Sequence, residues 1–160
     1  MLEHRPYHLE DELCFAIYSA QKSYHHFYSE ALKKFDLTYS QYITLLVLWE
    51  ERKPMMIKEI GDRLNLDTGT LTPLLKRLEK NGWITRTRSG IDGRRVYLEL
   101  TDKAEEKEKD VKFAVSYTFR LIDMDSEEYQ TSVKLLKNIT QKLNELNAEV
   151  DEMNERNKLI

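Results

Sequence analysis

The chemistry open to this chain begins with one thiol. Cys14, within "DELCFAIYSA" at residues 11–20, is the only cysteine among 160 residues. A peroxide attacks cysteine only as its thiolate, so a sensing thiol needs access and neighbours that favour its charge. Tyrosine hydroxyls can donate to a thiolate without adding charge, and Tyr7, Tyr18, Tyr24, Tyr28, Tyr39 and Tyr42 are candidate donors. Tyr28 follows Cys14 by 14 positions. On one helix that spacing returns it to nearly the same face, but roughly 21 Å along the axis at ~1.5 Å per residue, out of reach. Set against this is a plainer role, a lone thiol packed inertly between Leu13 and Phe15. A single cysteine precludes an intramolecular disulfide.

A second group of residues suits polyanions. The stretch "DTGTLTP" sets Thr68, Thr70, Thr72 and Pro73 at the start of an amphipathic segment, with Lys76 and Arg77 a turn or two later. Small hydroxyl residues let a helix N-terminus press into a major groove, bond phosphates and base edges, and bring methyls to thymine methyls. Ser40, at the start of the preceding long helix, is a further contact candidate. Arg86 and Arg88 alternate along an extended run, with Asp92, Arg94 and Arg95 beyond it, and a narrow arginine-bearing tip fits a minor groove. Taken singly, threonines also cap helices and arginines also sit solvated at surfaces. The charge distribution favours the joint reading. Net charge is only −3, yet residues 52–95 hold eleven basic and five acidic residues between acidic flanks. A basic centre of this kind marks a polyanion-binding module held by other elements.

Other chemistry finds little support. There is no Gly-rich phosphate loop, metal-spaced Cys/His cluster or signature-placed Ser-His-Asp set. His25 and His26 are adjacent, so on a helix they point ~100° apart and do not chelate one ion. No metal or cofactor is expected. No apolar run approaches the ~18–20 residues of a membrane span, the N-terminus lacks a secretory pattern, and cysteine is scarce. These features predict a cytoplasmic protein.

The elements that must carry these residues follow from periodicity. Apolar positions from Leu9 to Phe35 recur at threes and fours and predict one helix of about seven turns from Leu9 to about Lys34. Thr38 or Ser40 can cap the next helix, "QYITLLVLWEER", which is apolar nearly all round and ends at Pro54. "MIKEIGDRLN" predicts a short helix. Asp67 or Thr68 caps another that runs to about Lys80, stops at Asn81-Gly82 and tolerates Pro73 near its first turn. "WITRTRS" and "RRVYLELT" alternate and predict a β-hairpin through "GIDG". Two helices follow, at roughly 102–122 and 126–152. The second bears a narrow stripe of Val133, Leu136, Ile139, Leu143, Leu146 and Val150 that wants a partner helix. Residues 153–160 are polar and are expected to fray.

Two short helices, a tight turn and a basic hairpin form the plan of a winged helix-turn-helix. "DTGTLTPLLKRLEKNGWITRTRSGIDGRRVYLELT" resembles the core of the MarR family of winged-helix regulators, including its wing signature at Asp92, Arg94, Leu100 and Thr101. The resemblance implies a mainly α fold with a small β-hairpin wing, built as a six-helix dimer. Residues 1–36 and 102–152 would form the helical dimerisation region, and 37–101 the part that reads a near-palindromic double-stranded DNA operator. It also implies that Asp92 braces Arg94 at the wing tip. "LCFAIY", Tyr28 and "LTYSQY" further resemble the single-cysteine organic hydroperoxide resistance regulators and the related staphylococcal-type redox regulators.

That narrower resemblance implies a repressor released from DNA when organic hydroperoxide oxidises Cys14 to a sulfenic acid, which then forms a mixed disulfide with a low-molecular-weight thiol or overoxidises. Tyr28 and Tyr39 of the partner subunit would be the donors to Cys14, with Phe15 and Tyr18 completing the pocket. Two other expectations compete: a regulator of this fold answering a small aromatic ligand, and a thiol peroxidase.

Overall fold

The computed structural model describes residues 7–88, 96–120 and 122–158. The chain divides into two compact units, Met1–Arg120 and Leu121–Ile160. In the first, a 3-10 turn at Leu9–Asp11 precedes α1 (Leu13–Leu32), and a second at Lys33–Phe35 follows it. The single helix expected from Leu9 is therefore shorter and flanked by tighter turns. Asp36, left-handed at φ 53°, ends this stretch.

Thr38 begins α2 (Tyr39–Glu51) with a reciprocal cap: it accepts from the Gln41 N–H at 3.3 Å, while its own N–H donates to Gln41 Oε1 at 2.8 Å. Of the two cap candidates it is thus Thr38 that serves. The helix is buried along most of its length, through Tyr42, Leu45, Val47, Leu48 and Trp49. It stops at left-handed Arg52, ahead of Pro54.

Met55–Met56 form a two-residue strand, β1, which the sequence pattern did not predict. Then come α3 (Ile57–Leu64), α4 (Thr68–Lys80), β2 (Ile84–Arg88), β3 (Val96–Leu100) and α5 (Asp102–Phe119). The antiparallel sheet runs β1-β3-β2, with Leu98 opposite both Met55 and Arg86. At the turn between α3 and α4, Leu66 donates its N–H to the Gly61 carbonyl at 3.0 Å. A Cβ at Gly61 would lie 2.9 Å from both Leu66 O and Leu71 Cδ1, so only glycine lets the two helices close. Asn81 and left-handed Gly82 (φ 71°) terminate α4 as expected. Pro73 is the sixth residue of α4, inside the helix near its first turn as expected, and is exposed.

The core joins Leu32, α2, Ile60, the Leu71, Leu75 and Leu78 face of α4, Trp83, Ile84, Leu98 and the Ala104, Val111 and Val115 stripe of α5. Each such aliphatic side chain contributes roughly 1.5–3 kcal/mol by leaving water. Trp49 donates its indole N–H to the Ala104 carbonyl at 3.1 Å, which pins α2 to α5. Glu108 is the charged member of the α5 stripe and is 8% exposed. Burial alone would raise its carboxyl pKa, but hydrogen bonds from Lys112 and Arg52 outweigh that and hold it below the ordinary range.

In the second unit, α6 (Ser126–Lys158) is capped by Asp125, whose Oδ1 accepts the N–H groups of Glu127 and Glu128 at 2.8 Å. The tail expected to fray from 153 is helical through Lys158. Leu136, Leu143, Leu146 and Val150 are each about half exposed along α6.

Candidate functional site

The N-terminal end of α4 is organised by Asp67. Its Oδ1 accepts the Thr70 N–H at 2.9 Å and its Oδ2 accepts the Thr70 hydroxyl at 2.8 Å. The Thr70 backbone N–H, then its hydroxyl, hold the Asp67 carboxyl below the usual carboxylate range. Gly69 leaves room for this carboxylate, since a Cβ there would meet Asp67 Oδ1 at 2.9 Å. One turn on, the Thr72 hydroxyl donates to the Thr68 carbonyl at 2.7 Å. Thr68, Thr70, Pro73, Lys76 and Arg77 are exposed and Thr72 half-buried, while Leu71, Leu75 and Leu78 face inward. The expected α4 contact residues thus share the outward side of one helix. Ser40 is exposed at the start of α2, where its carbonyl accepts the Thr44 hydroxyl.

The hairpin requires a correction. Ile84, Arg86 and Arg88 share one side of β2, and Ile84 is buried, so that side faces inward at its base. Arg86 follows it in: its side chain is 21% exposed and its Nε lies 3.0 Å from Oε2 of Glu79 on α4. That approach is not aligned as a hydrogen bond, and Nε and Nη2 are shut off from solvent without a hydrogen-bond partner among the described residues. Arg86 therefore ties the wing strand to α4 and does not stand on the outer surface as expected. Arg88, at the far end of the strand, is exposed. Asp92, Arg94 and Arg95 fall outside the described residues.

Cys14 is exposed as the second residue of α1. Phe15, half-buried, stacks on Tyr18 with ring centroids 6.3 Å apart, and Tyr18 is exposed. Tyr28 sits at the other end of the helix, partly buried against the core. Its ring lies 4.6 Å from Tyr39 and 5.8 Å from Tyr42. The two expected tyrosine donors thus form one cluster, distant along α1 from the thiol of the same protomer. His25 and His26 are both exposed. Among the described residues no group of three or more His, Cys, Asp or Glu could hold a metal ion. No helix among them is long and apolar enough to cross a membrane.

Sequence reasoning missed Glu79 as the partner of Arg86 and the buried Glu108. Glu108 had a readable signal, because it falls in the apolar 104, 108, 111, 115 stripe of α5.

The model of the transcriptional regulator SarA/Rot family matches residues 26–111. The chain belongs to this family. It is 52% identical over 98 residues to the HTH-type transcriptional regulator TtmR of Methylorubrum extorquens, covering 61% of this chain and 50% of that protein. It is 45% identical over 100 residues to the HTH-type transcriptional regulator MgrA of Staphylococcus aureus, covering 62% and 67%. The chain thus spans half the length of TtmR and about two thirds of MgrA.

Among solved structures, reduced AbfR bound to DNA superposes with a TM-score of 0.77 at 38% identity, covering 86% of this chain and 94% of that one. Overoxidised AbfR bound to DNA and disulfide-formed AbfR match with TM-scores of 0.72 and 0.63. MarR shares the fold at 23% identity and a TM-score of 0.68. The winged-helix architecture with six helices among the described residues is the one expected. These relatives are transcriptional regulators.

Proposed function

We propose that this SarA/Rot-family chain is a dimeric DNA-binding regulator, acting as a repressor, that releases its operator when organic hydroperoxide oxidises Cys14. The observation that carries the DNA reading is the outward side of α4, where Thr68, Thr70, Thr72, Pro73, Lys76 and Arg77 present hydroxyls, a small ring and two cations. Residues 37–101 form the reading module, with Ser40, Arg88, Arg94 and Arg95 as flanking contacts and Asp92 as the brace of Arg94. A two-fold dimer matches a near-palindromic operator. Residues 1–36 and 102–152 supply the dimer contacts. The half-exposed stripe of α6 and the exposure of Leu13, Tyr18 and Tyr24 on α1 support that role.

The redox reading is supported by exposed Cys14 and by likeness to AbfR, solved in reduced, overoxidised and disulfide forms. The Cys14 thiolate attacks the peroxide, giving a sulfenic acid and an alcohol. A low-molecular-weight thiol then forms a mixed disulfide and releases water. Tyr28 and Tyr39 from the partner subunit stabilise the thiolate, with Phe15 and Tyr18 beside it.

Fluorescence anisotropy with a duplex operator tests the whole scheme. Cumene hydroperoxide should weaken binding by the wild type, and Cys14→Ser should bind but ignore peroxide. A serine variant that still responds refutes the sensor assignment.

A further inference from the structure

A threonine hydroxyl has one proton and two lone pairs, so its use as a donor in one place leaves only acceptor capacity elsewhere. Of the three hydroxyls at the α4 tip, those of Thr70 and Thr72 have spent that proton. Thr70 donates to Asp67 Oδ2 at 2.8 Å, and an ionised carboxylate can only accept. The bonds from Thr70 favour the charged form of Asp67, whose carboxyl lies below its ordinary range. Thr72 donates to the Thr68 carbonyl at 2.7 Å, which likewise can only accept.

In the major groove adenine and cytosine present exocyclic amino donors, whereas guanine presents the acceptors N7 and O6. We infer that Thr70 and Thr72 read amino groups of adenine or cytosine and discriminate against guanine at the bases they face. This inference rests on the DNA-binding reading above and assigns the chemistry of its base contacts. Against guanine, each threonine oxygen would oppose lone pair to lone pair. Turning the Thr70 proton toward guanine would take from Asp67 Oδ2 its hydroxyl donor while the DNA's negative field approaches. The internal bonds therefore act as a filter, and Gly69, which leaves the Asp67 carboxylate in place, is part of it.

The test uses the full chain and double-stranded DNA. A bound duplex is first selected from a random library. Each adenine in it is then replaced singly by deoxynebularine, which lacks the 6-amino group, or by 7-deazaadenine, which lacks the N7 acceptor. Each cytosine is replaced by an analogue lacking the 4-amino group. One neutral hydrogen bond corresponds to about a three- to tenfold change in Kd. Wild type should lose about that factor when one particular amino group is removed. Thr70→Val, which keeps the shape, should be weaker by a similar factor and indifferent to that same removal. Thr72→Val should show the same coupling at a neighbouring base.

Coupling of either threonine to an adenine N7, or to no adenine or cytosine amino group at all, overturns the inference while leaving DNA binding intact. Failure to select any duplex would instead overturn the DNA-binding reading.

Discussion

The Arg86–Glu79 pair separates two roles for an arginine in a DNA-binding module. If Arg86 were a phosphate contact, its loss would weaken DNA binding and flatten its salt dependence. The structure makes it an internal tie: 21% exposed, 3.0 Å from Glu79, with Nε and Nη2 cut off from water. Glu79→Ala leaves that cation without its counter-charge, at a cost between the ~1 kcal/mol of an exposed ion pair and the ~3–5 kcal/mol of a fully buried one. Glu79 is itself 43% exposed, which keeps the expectation toward the middle, at about 2 kcal/mol. For a chain of this size that corresponds to ~4–8 °C in Tm. Arg86→Met removes the charge and the unpaired donors together while keeping much of the volume, so it should cost under about 1 kcal/mol. The double variant should resemble Arg86→Met alone. Urea melts at one fixed protein concentration measure all three, since the stability of the proposed dimer would depend on concentration. DNA titrations at several salt concentrations complete the assay: Arg86→Met should leave the salt slope unchanged, whereas Lys76→Met, which removes one phosphate contact from each copy of the proposed dimer, should lower it by ~1.8. A harmless Glu79→Ala together with a slope loss in Arg86→Met refutes the reasoning.

Gly61→Ala should destabilise the helix-turn-helix by about 1–3 kcal/mol, visible as a lower urea midpoint, because its Cβ would meet Leu66 O and Leu71 Cδ1. Glu108 has a folded-state pKa depressed below 4.5, so its contribution is fully present above that value and lost as pH falls through the folded pKa. The penalty of Glu108→Gln in urea melts should accordingly be constant from pH 7 to 5 and shrink below pH 4.5. A penalty that grows on acidification would contradict the ion pairs with Arg52 and Lys112. Thr101→Val should lower Tm by a few degrees, since it removes hydrogen bonds to Gly82 and Trp83 worth about 1 kcal/mol net.

Much of the architecture was legible from local rules. Thr38 and Gln41 announce a capping box by type and spacing, Asp67 a cap, Asn81-Gly82 a stop, and the alternation around 84–88 and 96–100 a hairpin. What escaped depends on contacts between distant segments. Met55–Met56 is too short to alternate and is a strand only because β3 offers it a partner. Alternation put Arg86 and Arg88 on one side of β2, but the burial of Ile84 beside them decides which way that side turns. The tail from 153 lacks an apolar run, and only the structure extends α6 to Lys158. At the candidate site, the residue types on α4 were readable, whereas the direction of each hydroxyl bond was not. The clustering of Tyr28 with Tyr39 likewise follows from how α1 meets α2.

Thr101 joins more of this chain than its size suggests. Its hydroxyl reaches the carbonyls of Gly82 at 2.7 Å and Trp83 at 3.3 Å, and accepts the Ala104 N–H at 3.2 Å. The end of α4, the root of the wing and the first turn of α5 therefore meet at one oxygen, with Trp49 holding the same Ala104 from α2. A rotation imposed on α5 is transmitted to the wing root and the C-terminal end of α4 together, as a rigid crank turns both of its arms. A tilt of α5 would therefore carry the wing root and the C-terminal end of α4 as one piece, with no deformation of either.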